Sequence, residues 1–146
     1  MSETPPLTER DFRFLGEMGR YDAFLRLYHS VDPREIELLS SMVASDDPLV
    51  PLILLQYLEE MPEKKAVVSI LRLIESDNEV VSRAAMNAYR KNHFPGKARL
   101  LKPLILSTHP RACRFAVRTL SRAGFMDALA LILRELPDRE GEIRHR

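Results

Sequence analysis

The sequence predicts an all-α solenoid, and three observations carry that prediction. One kind of helix start recurs every 31 residues: Asp47-Pro48-Leu49-Val50, Asn78-Glu79-Val80-Val81 and His109-Pro110-Arg111-Ala112. The helices behind these starts stay in register. Ile53, Ala84 and Phe115 are equivalent, as are Leu54, Ala85 and Ala116, and Leu58, Tyr89 and Leu120. No β-rich alternating segment interrupts the helical spacing of apolar residues. A fixed period of about 20–50 residues marks stacked units that each bury an apolar face against their neighbours.

At 146 residues the chain is one domain's worth. The reading is a flexible lead-in over 1–7, a single solenoid domain over 8–136 and a charged flexible tail over 137–146. The first residues lack the basic-then-apolar pattern of a secretory signal. The longest apolar run, 49–55, contains Pro51 and is too short to span a bilayer, so no membrane contact is expected. The single cysteine, Cys113, cannot form an internal disulfide, which points to a reducing cytoplasm. Its helical position places it toward the interior as a structural thiol.

Element by element, Thr8 and Asp11 open a short amphipathic helix carrying Phe12, Leu15 and Met18 or Gly19. A second helix over 21–31 has Phe24, Leu25, Leu27 and Tyr28 as its apolar side. Asp32-Pro33-Arg34-Glu35 is a strong helix start. Asp caps, Pro takes the first position, where its missing N–H costs nothing, and Glu reaches back to the cap. The helix over 33–45 carries Ile36, Leu39 and Met42 or Val43. Residues 48–61 are almost wholly apolar in their first turns, which places that helix between neighbours on more than one side. Residues 63–76 offer Val67, Ile70, Leu71 and Ile74, and 79–92 offer Ala84, Ala85 and Ala88 for close approach. After Phe94-Pro95-Gly96, a helix over 97–107 should bend at Pro103, which removes one backbone hydrogen bond. Residues 110–123 follow, ended by Gly124 in a left-handed conformation. The last helix, 125–136, stops at Pro137.

The segment Ser76-Asp77-Asn78-Glu79-Val80-Val81-Ser82-Arg83-Ala84-Ala85-Met86-Asn87-Ala88-Tyr89 resembles the second helix of a HEAT repeat. Its acidic turn, β-branched residue, basic residue, paired alanines and closing large apolar residue make the likeness. Residues 108–120 are similar and 46–58 are a poorer copy. The resemblance covers about residues 33–136. It implies a right-handed α-solenoid of antiparallel helix pairs whose second helices line a concave side. The family usually has an arginine directly after the β-branched residue. Here those places hold Pro51, Ser82 and Cys113, and arginine comes one place later, at Arg83 and Arg114, turned about 100° toward solvent.

Charge is divided along the chain. Residues 1–79 carry 16 acids and 8 bases, whereas 80–126 carry 10 Lys or Arg and no Asp or Glu. Arg111, Arg114, Arg118 and Arg122 recur at spacings of three and four, so they share one helix face. Arg83, Asn87, Arg90 and Lys91 do the same one period earlier. The 31-residue register sets Arg83 beside Arg114, Asn87 beside Arg118 and Lys91 beside Arg122, and the resemblance makes that patch an inner groove. The stripe reads either as an ordinary solvated helix face or as a docking surface: like charges four apart are mildly destabilising on a helix, which fold stability does not ask for and an anionic partner would.

The partner classes are an acidic protein surface or helix, a second copy of the chain joined acidic half to basic half, and nucleic acid. The acidic first half and the lack of interleaved exposed aromatics rank nucleic acid below protein. No catalytic chemistry is legible. His29, His93, His109 and His145 lack metal-ligand spacing, no glycine-rich phosphate loop occurs, and no nucleophile motif is present. The expectation is a non-catalytic protein-binding scaffold or adaptor with no metal and no cofactor.

Overall fold

A computed structural model of the chain describes residues 8–122, and every regular element among them is helical. The expected lead-in, the helix over 125–136, the Gly124 terminator and the charged tail lie outside the described residues. The chain forms two compact units, residues 1–93 and 94–146.

The first unit contains α1 (Glu9–Phe14), α2 (Glu17–His29), α3 (Pro33–Val43), α4 (Leu49–Leu58), α5 (Lys64–Ile74) and α6 (Glu79–Lys91). Thr8 and Asp11 form a full capping box on α1, with bonds of 3.1 and 3.2 Å. This helix ends earlier than expected. Leu15 is extended and Gly16 starts α2, so Met18 belongs to the second helix and is exposed.

Asp32 caps α3 by accepting from the Arg34 N–H at 2.9 Å, but Glu35 does not complete the expected box. The Asp32 N–H already donates to Ser30 Oγ at 3.0 Å. Glu35 instead accepts from the Ser30 hydroxyl at 2.9 Å and pairs with Arg26 at 2.9 Å. A serine two residues before the cap thus takes the donor that the box would have used.

Helix α4 is the spine of this unit. It packs on α2, α3, α5 and α6, and Val50, Pro51, Leu54, Leu55 and Leu58 are all buried. The nearly continuous apolar run follows from contact on several sides. Helices α5 and α6 make the broadest contact, through Ile70, Ile74, Val81, Ala85 and Tyr89 among others. Asn92 is fully buried and its Nδ2 donates to the carbonyls of Leu58 and Met61 at 3.0 and 2.7 Å. Those carbonyls lie at and beyond the end of α4, where they also accept from the N–H groups of Met61 and Glu63 at 3.1 and 2.8 Å.

In the second unit the expected bent helix over 97–107 is divided instead. A 3₁₀ helix, Lys97–Leu101, meets the single α-turn α7 (Lys102–Ile105), and α8 (Pro110–Arg122) follows. Pro103 lies in the first turn of α7, where a proline has no helical bond to break. The division falls before the proline rather than at it.

The 31-residue recurrence is visible atom by atom. Ser45, Ser76 and Ser107 each donate their N–H to the carbonyl three residues earlier, on Met42, Leu73 and Leu104. Each hydroxyl oxygen accepts from the N–H two residues later, on Asp47, Asn78 and His109, at 3.2, 3.1 and 3.1 Å. The equivalent core positions Val50, Val81 and Ala112 are buried, and so are Leu58, Tyr89 and Leu120.

Candidate basic interface

Helix α6 starts at Asn78, whose Oδ1 accepts from the Val81 N–H at 3.2 Å. Its buried side is Val81, Ala85, Ala88 and Tyr89. Arg83, Asn87, Arg90 and Lys91 are all exposed, within an arc of about 100° at 3.6 residues per turn. The row is real, but Arg83 is not a bare cation. Glu79, one residue before the acid-free stretch, accepts from its Nε at 3.0 Å and lies 2.7 Å from its Nη2. That is the favoured helical order, Glu four residues ahead of the base. Asn87 Oδ1 accepts from Arg90 Nη1 at 2.9 Å, which braces that guanidinium along the row.

Helix α8 carries the stronger feature. Arg114, Arg118 and Arg122 are exposed and Arg111 is half-buried, all within an arc of about 80°. The opposite side, Ala112, Phe115, Ala116 and Leu120, is buried. Among the described residues none of these four arginines forms an ion pair. Steps of four residues along a helix advance about 6 Å, so Arg114, Arg118 and Arg122 make a ladder of evenly spaced guanidinium groups.

Ser82 and Cys113, in the places where a HEAT-like repeat would carry an arginine, face inward. Ser82 is fully buried and its hydroxyl donates to the Ile74 carbonyl at 2.6 Å. The half-buried Cys113 Sγ lies 3.4 Å from the Ile105 carbonyl, also eight residues back. A long cationic side chain would not fit that use. Lys97, one of the ten cations of 80–126, is partly buried, and burial lowers its ammonium from the ordinary range.

One basic surface escaped the sequence reading. Lys64 and Arg72 stand exposed on α5, one turn to either side of Val68, and neither forms an ion pair among the described residues. The acidic balance of residues 1–79 hides them, although the spacing 64, 68, 72 is legible as one face.

Among the described residues no three His, Cys, Asp or Glu side chains gather as a metal site, and no helix is long and apolar enough to cross a membrane. No family model, curated protein or solved structure compared with this chain matches it.

Proposed function

We propose that this chain is a non-catalytic protein-binding adaptor of HEAT-like helix pairs. The arginine ladder of α8 captures a carboxylate-rich segment of a partner protein. The observation that carries this reading is the exposure of Arg114, Arg118 and Arg122 on one face with no ion pair to any of them among the described residues. Each guanidinium can hold a carboxylate through two parallel bonds, and planar forks on a rigid helix are ordered in advance. A partner helix with Asp or Glu every fourth residue repeats the same step of about 6 Å. On α6, the exposed Lys91 offers a further cation, whereas Arg83 must first give up Glu79.

The recurrent serine turns and the paired ties of Ser82 and Cys113 support a helix-pair repeat. Tyr89 and Phe115, the aromatic residues of α6 and α8, are buried, so these helices give bases nothing to stack on. That favours protein over nucleic acid. A free thiol at Cys113 suits a cytoplasmic setting.

The test is affinity capture from native extract with wild type and Arg114→Glu/Arg118→Glu, each with and without nuclease, followed by titration of the purified partner. A protein held by wild type alone, weakening as salt rises, supports the reading. Capture abolished by nuclease moves it to nucleic acid, and equal capture by both chains dismisses the ladder.

A further inference from the structure

A groove of mixed apolar and basic character lies on α3 and α5 of the first unit, apart from the arginines of α8. Both helices pack on α4 without packing broadly on each other. The space between them is a groove of about 440 Å³. Its two walls differ in chemistry. Ile36, Leu39 and Val43 line the α3 side, with Ile36 45 % exposed. Lys64, Val68 and Arg72 line the α5 side, and Leu27 of α2 also contributes.

An isoleucine left this open beside the half-buried Leu39 and buried Val43 retains surface that water disfavours. The cations are equally notable. In this unit Arg13, Arg26 and Arg34 are each ion-paired, to Asp47, Glu35 and Asp32, whereas Arg20 forms no ion pair among the described residues but lies partly buried near Tyr57. Lys65 is held by the Tyr28 carbonyl and lies 4.5 Å from that tyrosine's ring centre. Lys64 and Arg72 have no such partner among the described residues, in a half of the chain where acids outnumber bases two to one. Carboxylates are plentiful, yet none closes on these two.

We infer that the α3–α5 groove receives an amphipathic helix of a partner protein, with its apolar stripe on Ile36, Leu39 and Val68 and its carboxylates toward Lys64 and Arg72. A helix suits the space because two helices flanking a trough accept the ridge of a third. An apolar stripe at i, i+3 or i+4, and i+7 fills the α3 side, and acidic residues on the adjoining flank meet the α5 side. A planar anionic membrane has the right charge but the wrong shape, since a trough recesses its apolar residues from a flat surface.

The experiment selects a phage-displayed library of helical peptides, about 14 residues and roughly 21 Å long, on the full chain. Selected peptides are then titrated against variants. The expected consensus is an apolar stripe flanked on one side by Asp or Glu. Affinity should fall about tenfold or more with Val68→Trp, which fills the groove, and with Lys64→Glu/Arg72→Glu. Arg114→Glu/Arg118→Glu should bind the same peptides unchanged, which separates this groove from the α8 ladder. Because Val68 is half-buried, the exposed Ile36→Glu provides a second groove variant, and circular dichroism checks each fold. A consensus without carboxylates, or peptides whose binding survives both groove variants, overturns the proposal. So does flotation with phosphatidylglycerol vesicles that Ile36→Glu abolishes, which would assign the groove to a membrane.

Discussion

Ser82 and Cys113 stand one period apart and approach the same atom of their surroundings, the carbonyl eight residues earlier, Ile74 at 2.6 Å and Ile105 at 3.4 Å. Each joins the first turn of one helix to the end of the helix before it. The hydroxyl is the stronger donor and the thiol the weaker. Ser82→Ala leaves a buried carbonyl without that donor and is expected to reduce stability by about 1–2 kcal/mol. Cys113→Ser keeps a donor of similar shape and should change stability by less than about 0.5 kcal/mol. Urea unfolding of both variants checks the pair.

Asn92 holds the end of α4 through two donated bonds from one nitrogen. Asn92→Ala removes both and is expected to cost about 2–3 kcal/mol. Asn92→Asp should be worse, because an ionised carboxylate cannot donate to either carbonyl and would be buried beside them. Thermal melts at neutral pH should rank wild type above Ala and Ala above Asp.

Arg114, Arg118 and Arg122 stand exposed on α8 with no ion pair among the described residues. Arg118→Gln relieves repulsion from Arg114 and Arg122, each four residues away, and should leave the melting temperature unchanged or raise stability by a few tenths of a kcal/mol. Glu79→Gln has the opposite sign, since it breaks the exposed pair with Arg83, and should cost no more than about 0.5 kcal/mol, fading in high salt. Melts at two ionic strengths distinguish the two variants.

Alkaline stability should follow the buried phenols. Burial raises Tyr89 from the ordinary 10.0 to about 12. Tyr28 is raised further, by burial first and then by its 2.7 Å bond to Glu63. The folded state therefore holds these protons more tightly than the unfolded chain. The stabilisation is complete below about pH 10 and is lost as pH rises toward 12 and beyond. Urea midpoints should fall across that window, and Tyr89→Phe should soften the fall. Phenolate absorbance gives the ionisation directly.

Local chemistry made most of the fold legible. Asp32-Pro33 and Asn78 announce helix starts because capping uses only neighbouring residues, and the repeated apolar positions disclose the core because burial imposes a period. The early stop at Leu15 was not legible, since Gly16 can extend or continue a helix equally well. Nor was the division of 97–105, where Pro103 is as acceptable beginning one short helix as bending a longer one. For the basic rows, spacing sufficed to put Arg114, Arg118 and Arg122 on one face. Counting acids only from residue 80 missed Glu79, which reaches back over the boundary to Arg83. The α3–α5 groove needed the fold itself, because its walls come from helices some thirty residues apart in sequence and net charge averaged its cations away.

The serine turns bear on how such a chain can change length. A stretch from Ser45 to Glu75 begins with the turn that also begins the next stretch at Ser76, and the atoms that close it are supplied by the same relative positions. A duplication or excision cut at those serines rejoins like ends, so the new seam carries the hinge chemistry of the old one. A segment exchanged between two of those serines would therefore meet equivalent bonding partners at both of its ends.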